Sequence, residues 1–495
     1  MVGVEMEQGA LYSPVVGLIY VFNLIVGTGA LTMPKALGET GWLLGLVLII
    51  ALAFMSYMTV TFVVESMASA NAMIRWKHLQ RMKKSGENKA DSLMVDDFTD
   101  QIVVPSGAND KTPLLSGSTD SAHFYDITQK IEMGQMARLF FNIWGVRLFY
   151  VVLAIYLYGD LAIYAAAVPK SLRDVACTYT LSTNQTNHSN ILPENAPCWS
   201  GAELTRLNAY RIFVAAFTFL LGPFMFFNVQ KTKYLQIFTT IMRWAAFLMM
   251  IIIAAIRLIK GQGQGHPPVA NFTGVPNFFG VCVYSFMCHH SLPSLVTPIR
   301  NKSKLKVLFS ADYILILGFY LLLSYTGIFA FSNIKDLYTL SFNTDSVISV
   351  KFIQYFLALF PVFTLSTNFP IIGITLRENI KSIFYRDGRK SRYFCIDRLV
   401  FPIVTLLPPV IVALITEDVE FLVGITGSYA GSAIQYIVPA ALVYYSRRDM
   451  NLALGSEVKN TQKSPFASVF WVGFTLIWAL SCISFVTVNH IITKK

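Results

Sequence analysis

The feature that most constrains this chain is a series of apolar stretches, each about twenty residues long, the length at which a helix crosses a bilayer. Charged residues make up only 14% of the 495 residues and mean hydropathy is +0.54, whereas soluble domains use roughly a quarter charged residues. The sequence therefore predicts an all-α, polytopic membrane protein with about eleven spans. The predicted spans are 12–38, 41–66, 146–169, 209–228, 235–259, 276–298, 308–331, 347–376, 395–416, 419–445 and 467–489.

Charge sets the predicted orientation of these spans. Lys and Arg cluster in the loops after the even-numbered spans, which are therefore predicted to be cytoplasmic. The amino terminus is then cytoplasmic, and the carboxyl terminus lies in the lumen or outside the cell. The net charge of +11 is explained by orientation in the bilayer, and no nucleic-acid partner is predicted. No cleavable signal peptide is expected, because the first apolar run follows Glu5 and Glu7 without a basic segment.

Sequence motifs in the loops on the opposite side agree with this orientation. N-glycosylation sequons begin at Asn184, Asn187 and Asn271, all in loops predicted to be lumenal. Cys177 and Cys198 flank the first of these loops, and they are expected to form a disulfide if that loop lies in an oxidising compartment.

The predicted organisation has five segments. Residues 78–125 are polar, mixed in charge and poor in aromatics, which is typical of a disordered cytoplasmic loop. The other segments are 1–77 with spans one and two, 126–260 with spans three to five and a lumenal loop at 170–208, 261–445 with spans six to ten, and 446–495 with span eleven and a lumenal tail.

The cytoplasmic loop contains a candidate sorting signal. Its sequence Asp110-Lys-Thr-Pro-Leu-Leu115 resembles the acidic dileucine signals that clathrin adaptors recognise, with Asp110, Leu114 and Leu115 as the recognised positions. A functional signal would place the protein in lysosomal or endosomal membranes; the plasma membrane is the alternative.

Two of the predicted spans are interrupted in the middle. Gly27-Thr28-Gly29 divides the first span, and polar residues followed by Pro293 divide the sixth. Within hydrocarbon such breaks survive only where they are buried in protein or line a polar cavity. Because the breaks are five spans apart, they predict an inverted repeat whose discontinuous helices meet at the midplane. The alternative is that the glycines only allow close helix packing.

Broken helices create a particular kind of binding site. Unpaired N–H groups at Thr28, Gly29 and Ala30 would carry partial positive charge and suit a carboxylate. The free carbonyls of the preceding half-helices would suit an ammonium group or a monovalent cation. They lie around Ile25, Val26, Tyr284 and Ser285. A zwitterionic amino acid matches both kinds of helix end.

Both interruptions also carry a family resemblance. Asn23-Leu-Ile-Val-Gly-Thr-Gly29 with Pro34 resembles the first-helix motif of the amino acid/auxin permease family, and residues 284–291 resemble the sixth-helix motif of its sodium-coupled neutral amino acid transporters. The resemblance covers nearly the whole chain except 78–125. It implies a LeuT-type core of five plus five helices that carries a neutral amino acid by alternating access, with sodium or a proton as coupling ion and no other cofactor.

The resemblance also implies roles for particular residues. The substrate-binding positions would be Val26, Gly27, Thr28, Gly29, Tyr284, Ser285 and Phe286. The coupling ion would be held by Asn23 and by a hydroxyl of the eighth span, either Thr364, Ser366 or Thr367. Two further residues within spans, Asp160 and His289, could relay a proton or could be structural.

Other function classes find little support in the sequence. Walker, GxSxG and HExxH motifs are absent from suitable contexts, so no enzyme is predicted. No metal site is predicted at Cys288-His-His, because adjacent helical histidines point about 100° apart. Arg243 and Glu65 are expected near cytoplasmic helix ends, where they can reach water. The alternative function is a non-transporting amino acid sensor of the same fold that signals through residues 78–125.

Overall fold

The computed structural model describes residues 11–93, 124–178, 196–201, 203–226, 233–343, 350–385, 399–455 and 458–493. Apart from two isolated bridges, these residues form helices and loops. The helices up to residue 260 are α1 Pro14–Ile25, α2 Thr28–Thr40, α3 Trp42–Leu93, α4 Met133–Phe140, α5 Ile143–Ala176, α6 Arg206–Leu221 and α7 Lys233–Ile259. The later helices are α8 Val275–Ser285, α9 Leu292–Val296, α10 Leu305–Ala330, α11 Lys351–Phe384, α12 Phe401–Ile415, α13 Val419–Thr426, α14 Val438–Leu454 and α15 Val469–Thr493.

Most of these helices are long and apolar enough to cross a bilayer. Eight spans meet that criterion among the described residues, and α1 with α2 forms a ninth that is bent by 59°. α13 and α14 count as one span, because two π-helical segments at Gly427–Gly431 and Ala433–Ile437 join them. The two other predicted stretches correspond to the shorter helix α12 and to the interrupted α8–α9 segment. The predicted all-α membrane fold is confirmed; the total of eleven spans and the inverted repeat stay predictions.

Helix α3 is longer than the predicted second span, 41–66. It continues to Leu93 and so enters the 78–125 stretch that the composition predicts to be disordered. Lys, Leu, Arg and Glu are common in solvated helices as well as in disordered chain, and the disordered loop stays a prediction. Residues 94–123, with Asp110, Leu114 and Leu115, lie outside the described residues.

The chain that follows this loop packs against the carboxyl-terminal half of α3. Asn71 Oδ1 accepts the N–H groups of Thr128 and Gln129 at 3.2 and 2.9 Å. Arg75 donates to the carbonyls of Phe124 and Asp126 at 2.7 and 2.8 Å. These hydrogen bonds fix residues 124–130 on the helix and give the polar side chains of α3 their partners.

Small residues allow α8 to pack very closely on the span that contains α13. A methyl group on Gly280 would lie 1.9 Å from the carbonyl oxygen of Gly424, and one on Gly427 would lie 1.9 Å from that of Gly280. Any larger side chain at these positions would force the backbones apart. Gly427 also begins the first π-helical segment, a wider turn that is common at functional sites.

The loops predicted to be lumenal contain the cysteine pair. The structure joins Cys177 to Cys198 in a disulfide. The bond connects the end of α5 with the residues that lead into α6. Asn184 and Asn187, which lie between the two cysteines, are outside the described residues.

An ion pair connects the end of α5 with the loop after α10 and with the start of α13. Lys170 Nζ lies 2.6 Å from Asp336 Oδ2, which also accepts the N–H of Val419 at 3.1 Å. Burial raises the pKa of the Asp336 carboxyl, but the ammonium of Lys170 and these hydrogen bonds outweigh burial, so the net pKa lies below 3.8. Asp336 therefore stays ionised in any neutral or mildly acidic compartment, and its ion pair persists there.

A second, buried ion pair connects α3 with α14. Glu65, expected near a helix end, lies within α3 with its side chain only 2% exposed. Arg447 Nε and Nη2 donate to its two carboxylate oxygens at 2.8 and 2.7 Å, and the N–H of Ser464 donates at 2.8 Å. The expectation of a side chain that reaches water is wrong, because α3 extends well beyond the apolar run.

We predict that Glu65→Ala lowers the free energy of unfolding by about 3 kcal/mol, because it leaves the Arg447 guanidinium without its carboxylate. The matched control is Asp449→Ala, whose partner Arg448 is 55% exposed, so that it should cost less than about 1 kcal/mol. Thermal unfolding of the purified proteins in detergent measures both. Equal losses for the two variants would contradict the prediction.

Candidate functional site

The first interruption lies between α1 and α2. Val26 and Gly27 leave the helix, and Gly27 has no side chain that could cap the N–H groups that follow. The N–H groups of Thr28 and Gly29 open α2 and therefore have no intrahelical acceptor. The N–H of Ala30, predicted to be free, donates to Gly27 O at 3.2 Å. Two N–H groups without an intrahelical acceptor, not the three predicted, therefore open α2.

The second interruption lies between α8 and α9. Residues 286–288 are not helical, and a single 3-10 turn, His289–Ser291, leads into α9. Pro293 stands at the start of α9, where its missing N–H costs no hydrogen bond. The structure thus breaks the sixth predicted span where its polar residues lie.

The two interruptions meet in the folded protein. A methyl group on Gly29 would lie 2.2 Å from Ser285 Oγ and 2.8 Å from Ser285 Cα. The Tyr320 hydroxyl, fully buried on α10, lies 3.0 Å from the carbonyl oxygen of Ile25 and 2.9 Å from that of Ser285. One hydroxyl therefore joins the carboxyl-terminal ends of both half-helices. The glycine is explained in part by close packing, as the alternative interpretation predicts.

Arg243 on α7 is the main residue that the sequence analysis misplaced. Its Nη1 donates to the carbonyls of Asn23 and Val26 at 2.7 and 3.0 Å, so the guanidinium lies at the first break and not near a helix end. The neighbouring Trp244 donates its indole N–H to Asn23 Oδ1 at 2.8 Å. A charge inside an apolar run is by default a functional candidate, and that signal was present in the sequence.

Asp160 on α5 also belongs to this region. The buried carboxylate interacts with the side chains of Tyr156 and Tyr284, the second of which is a predicted substrate residue. Tyr164, one helical turn further along, interacts with both Asp160 and Thr28. The structure therefore brings Asp160 beside residues from both interruptions.

The other predicted residues of the sixth span are fully buried. His289 Nε2 lies 2.9 Å from Thr59 Oγ1, and its Nδ1 has no hydrogen-bond partner among the described residues. The Phe286 ring packs on Tyr313 and Tyr320, with centroids 6.0 and 5.3 Å apart. The side chains of His289 and Phe286 therefore pack around the interruption between α8 and α9.

The predicted ion ligands on the eighth span lie on α11, which packs against α5 and α7. Thr364 Oγ1 donates to Phe360 O at 3.0 Å, and Thr367 Oγ1 donates to Thr364 O at 2.9 Å. Ser366 is partly exposed. Each of the two threonine hydroxyls keeps oxygen lone pairs that could still accept a cation.

A further carboxylate that the sequence analysis did not identify is Asp312 on α10. Its side chain is 1% exposed, and neither carboxylate oxygen has a hydrogen-bond partner within the described ranges. Tyr313 and Cys288 are close enough to interact with it electrostatically. The signal available in the sequence was the position of an aspartate inside a predicted span.

An ion pair lies on the side of the candidate site that is predicted to be lumenal. Lys35 Nζ lies 2.8 Å from Glu420 Oε2, and Asn277 Nδ2 donates to Glu420 Oε1 at 2.6 Å. These contacts connect α2, α8 and α13. Beyond them, Asn271 donates to Glu39 O at 2.9 Å, so this predicted glycosylation position lies at the outer end of α2; its modification stays a prediction.

The arrangement therefore brings helix ends of opposite partial charge into one buried region. The N–H groups that open α2 suit a carboxylate, and the carbonyls that end α1 and α8 suit positive charge. Tyr284 lies in the last turn of α8, and Asp160 lies beside it. Such a set of groups can bind a small zwitterion.

Comparison with known proteins assigns the family. Residues 12–79 and 121–488 match the family described as transmembrane amino acid transporter protein, and the chain belongs to this family. The predicted family resemblance is confirmed. The match leaves out residues 80–120, most of the predicted cytoplasmic loop.

Similar proteins in several animals extend over nearly the whole chain. Transmembrane protein 104 of Gallus gallus is 54% identical over 499 residues, which cover 100% of both chains. Transmembrane protein 104 of Homo sapiens is 53% identical over 504 residues, covering 100% of this chain and 99% of that protein. The transmembrane protein 104 homolog of Drosophila melanogaster is 48% identical, covering 98% of each.

We predict that Gly29→Ala lowers amino acid uptake at least about tenfold, because the added methyl group separates the two half-helices at the cost of about 1–3 kcal/mol. Gly318→Ala on α10 is the control, since a methyl group there meets nothing within 4 Å and uptake should be unchanged. Uptake is measured per amount of protein that elutes as a single species in size-exclusion chromatography. Equal uptake by the two variants would refute the assignment of the site.

Proposed function

We propose that this protein carries a neutral amino acid across the membrane as an ion-coupled symporter that works by alternating access. The observation that carries the proposal is the meeting of the two interrupted helices, with Gly29 against Ser285 and the Tyr320 hydroxyl between their carbonyl ends. Membership of an amino acid transporter family supports it.

In this proposal the substrate carboxylate binds the N–H groups of Thr28 and Gly29. Backbone N–H groups at a helix start bring partial positive charge to the ligand without a lysine or arginine side chain. The substrate ammonium binds at the carbonyl end of α8, where Ser285 O has a second lone pair beyond the one that faces the Tyr320 hydroxyl. The carboxyl group of Asp160 lies on the same side and interacts with Tyr284.

Alternating access requires that the site opens to one side at a time. The Lys35–Glu420 ion pair and the Asn277 hydrogen bond hold α2, α8 and α13 together on the lumenal side. Substrate entry from the lumen therefore requires these contacts to break, whereas release to the cytoplasm requires movement of α1 and α9. The coupling ion in this proposal is sodium or a proton.

Other parts of the sequence interpretation stay predictions. The adaptor signal at residues 110–115 and the lysosomal or endosomal location depend on residues outside the described part of the chain. The sensor alternative depends on the same loop.

The decisive experiment is uptake of radiolabelled neutral amino acids into proteoliposomes, with sodium and proton gradients imposed separately. We expect accumulation above the external concentration, driven by one of the two gradients and abolished when an ionophore collapses it. Liposomes that contain the Gly29→Ala variant are the control. Saturable binding without gradient-driven accumulation would contradict the proposal and favour a sensor.

A further inference from the structure

The carboxyl-terminal end of α1 already contains a positive charge. Arg243 Nη1 lies 2.7 Å from Asn23 O and 3.0 Å from Val26 O. Asn23 and Val26 are the backbone positions at which a helix ends and its partial negative charge accumulates. The guanidinium thus uses the carbonyl of Val26, one of those predicted to suit a monovalent cation.

A side-chain oxygen near this end also accepts a hydrogen bond. Asn23 Oδ1, the predicted side-chain ligand for the coupling ion, accepts the Trp244 indole N–H at 2.8 Å. The Phe22 ring stacks on the Trp244 ring, with centroids 4.7 Å apart, and this contact holds the indole in place. Both donors come from consecutive residues of α7, so one helix satisfies the oxygens of a potential cation site.

The partners of Arg243 are backbone carbonyls and tyrosines, not carboxylates. The side chains that interact with it electrostatically are Tyr164 and Tyr320, and within the described part of the chain the guanidinium forms no ion pair with an aspartate or glutamate. Because arginine remains protonated in proteins, its charge is balanced by the end of α1. A second cation in the same place would be repelled at short range.

We propose that Arg243 is a built-in cation that replaces a coupling metal ion at the end of α1, so that substrate binding and transport proceed without sodium. The proposal rests on the proposed transport function and specifies its ion. It leaves the proton as the coupling ion, and the candidate acceptors among the described residues are the buried carboxyl groups of Asp160 and Asp312 and the imidazole of His289.

The charge of Arg243 can be tested apart from its shape. One nitrogen, Nη1, serves both carbonyls, so the ammonium of Arg243→Lys can replace it, whereas Arg243→Met has similar length and no charge. We expect Arg243→Lys to keep uptake within a few-fold of wild type and Arg243→Met to lose at least about tenfold. Arg257→Met on the same helix is the control, because Arg257 donates to Gln262 O at an exposed position; it should transport normally.

Sodium is tested in two independent measurements on the wild-type protein. Uptake is compared in sodium chloride and choline chloride at equal ionic strength, and the thermal unfolding of the detergent-purified protein is compared in the same two salts. A ligand that binds only the folded state raises its stability, so we expect the same unfolding temperature and the same uptake in both salts.

Each outcome has a defined meaning. Higher uptake or higher unfolding temperature in sodium would overturn the proposal, as would normal uptake by Arg243→Met or equal loss by the lysine and methionine variants. If wild-type protein shows no uptake in either salt, the transport function fails, and the unfolding comparison still tests whether sodium binds. If Arg243→Met does not fold, the wild-type salt comparison decides alone.

Discussion

The whole arrangement depends on one constraint, the need to satisfy backbone polar groups where two helices break inside hydrocarbon. Each unpaired N–H or carbonyl there costs several kcal/mol, and no water is available to replace the missing partner. The carbonyl ends are satisfied by the Tyr320 hydroxyl and the Arg243 guanidinium. The N–H groups that open α2 receive no capping side chain from the described residues, so they are the groups left for a ligand.

Packing around the breaks gives the half-helices different neighbours. The outer halves, α2 and α8, are connected through the Lys35–Glu420 pair and its asparagine partner. The inner halves, α1 and α9, are connected where the N–H of Tyr12 donates to Pro298 O and the N–H of Arg300 donates to Tyr12 O. In the proposed transport cycle the two inner halves move together while the outer contacts remain, and the outer halves move while the inner contacts remain. A binding site between the inner pair and the outer pair of half-helices would then open to one side of the membrane at a time.

The two helix interruptions could be predicted from the sequence, whereas the side chains that satisfy their carbonyl groups could not, for physical reasons. Glycines and polar residues inside apolar runs predicted the interruptions, because few other structures tolerate them in a membrane. The contribution of Tyr320 could not be predicted, because its hydroxyl reaches a carbonyl 295 residues away and an aromatic residue in a span is usually ordinary packing. Arg243 was misplaced because a long side chain can often reach water. Only its carbonyl partners, which depend on how α7 packs on α1, show where it lies.

The most direct test of the central claim is an experimental structure of the protein with a bound neutral amino acid, determined in a lipid environment. We expect the substrate carboxylate within about 3 Å of the N–H groups of Thr28 and Gly29, with the substrate ammonium toward the carbonyl end of α8 and Arg243 still at the end of α1. Substrate density elsewhere in the protein, or an unbroken first helix, would contradict it.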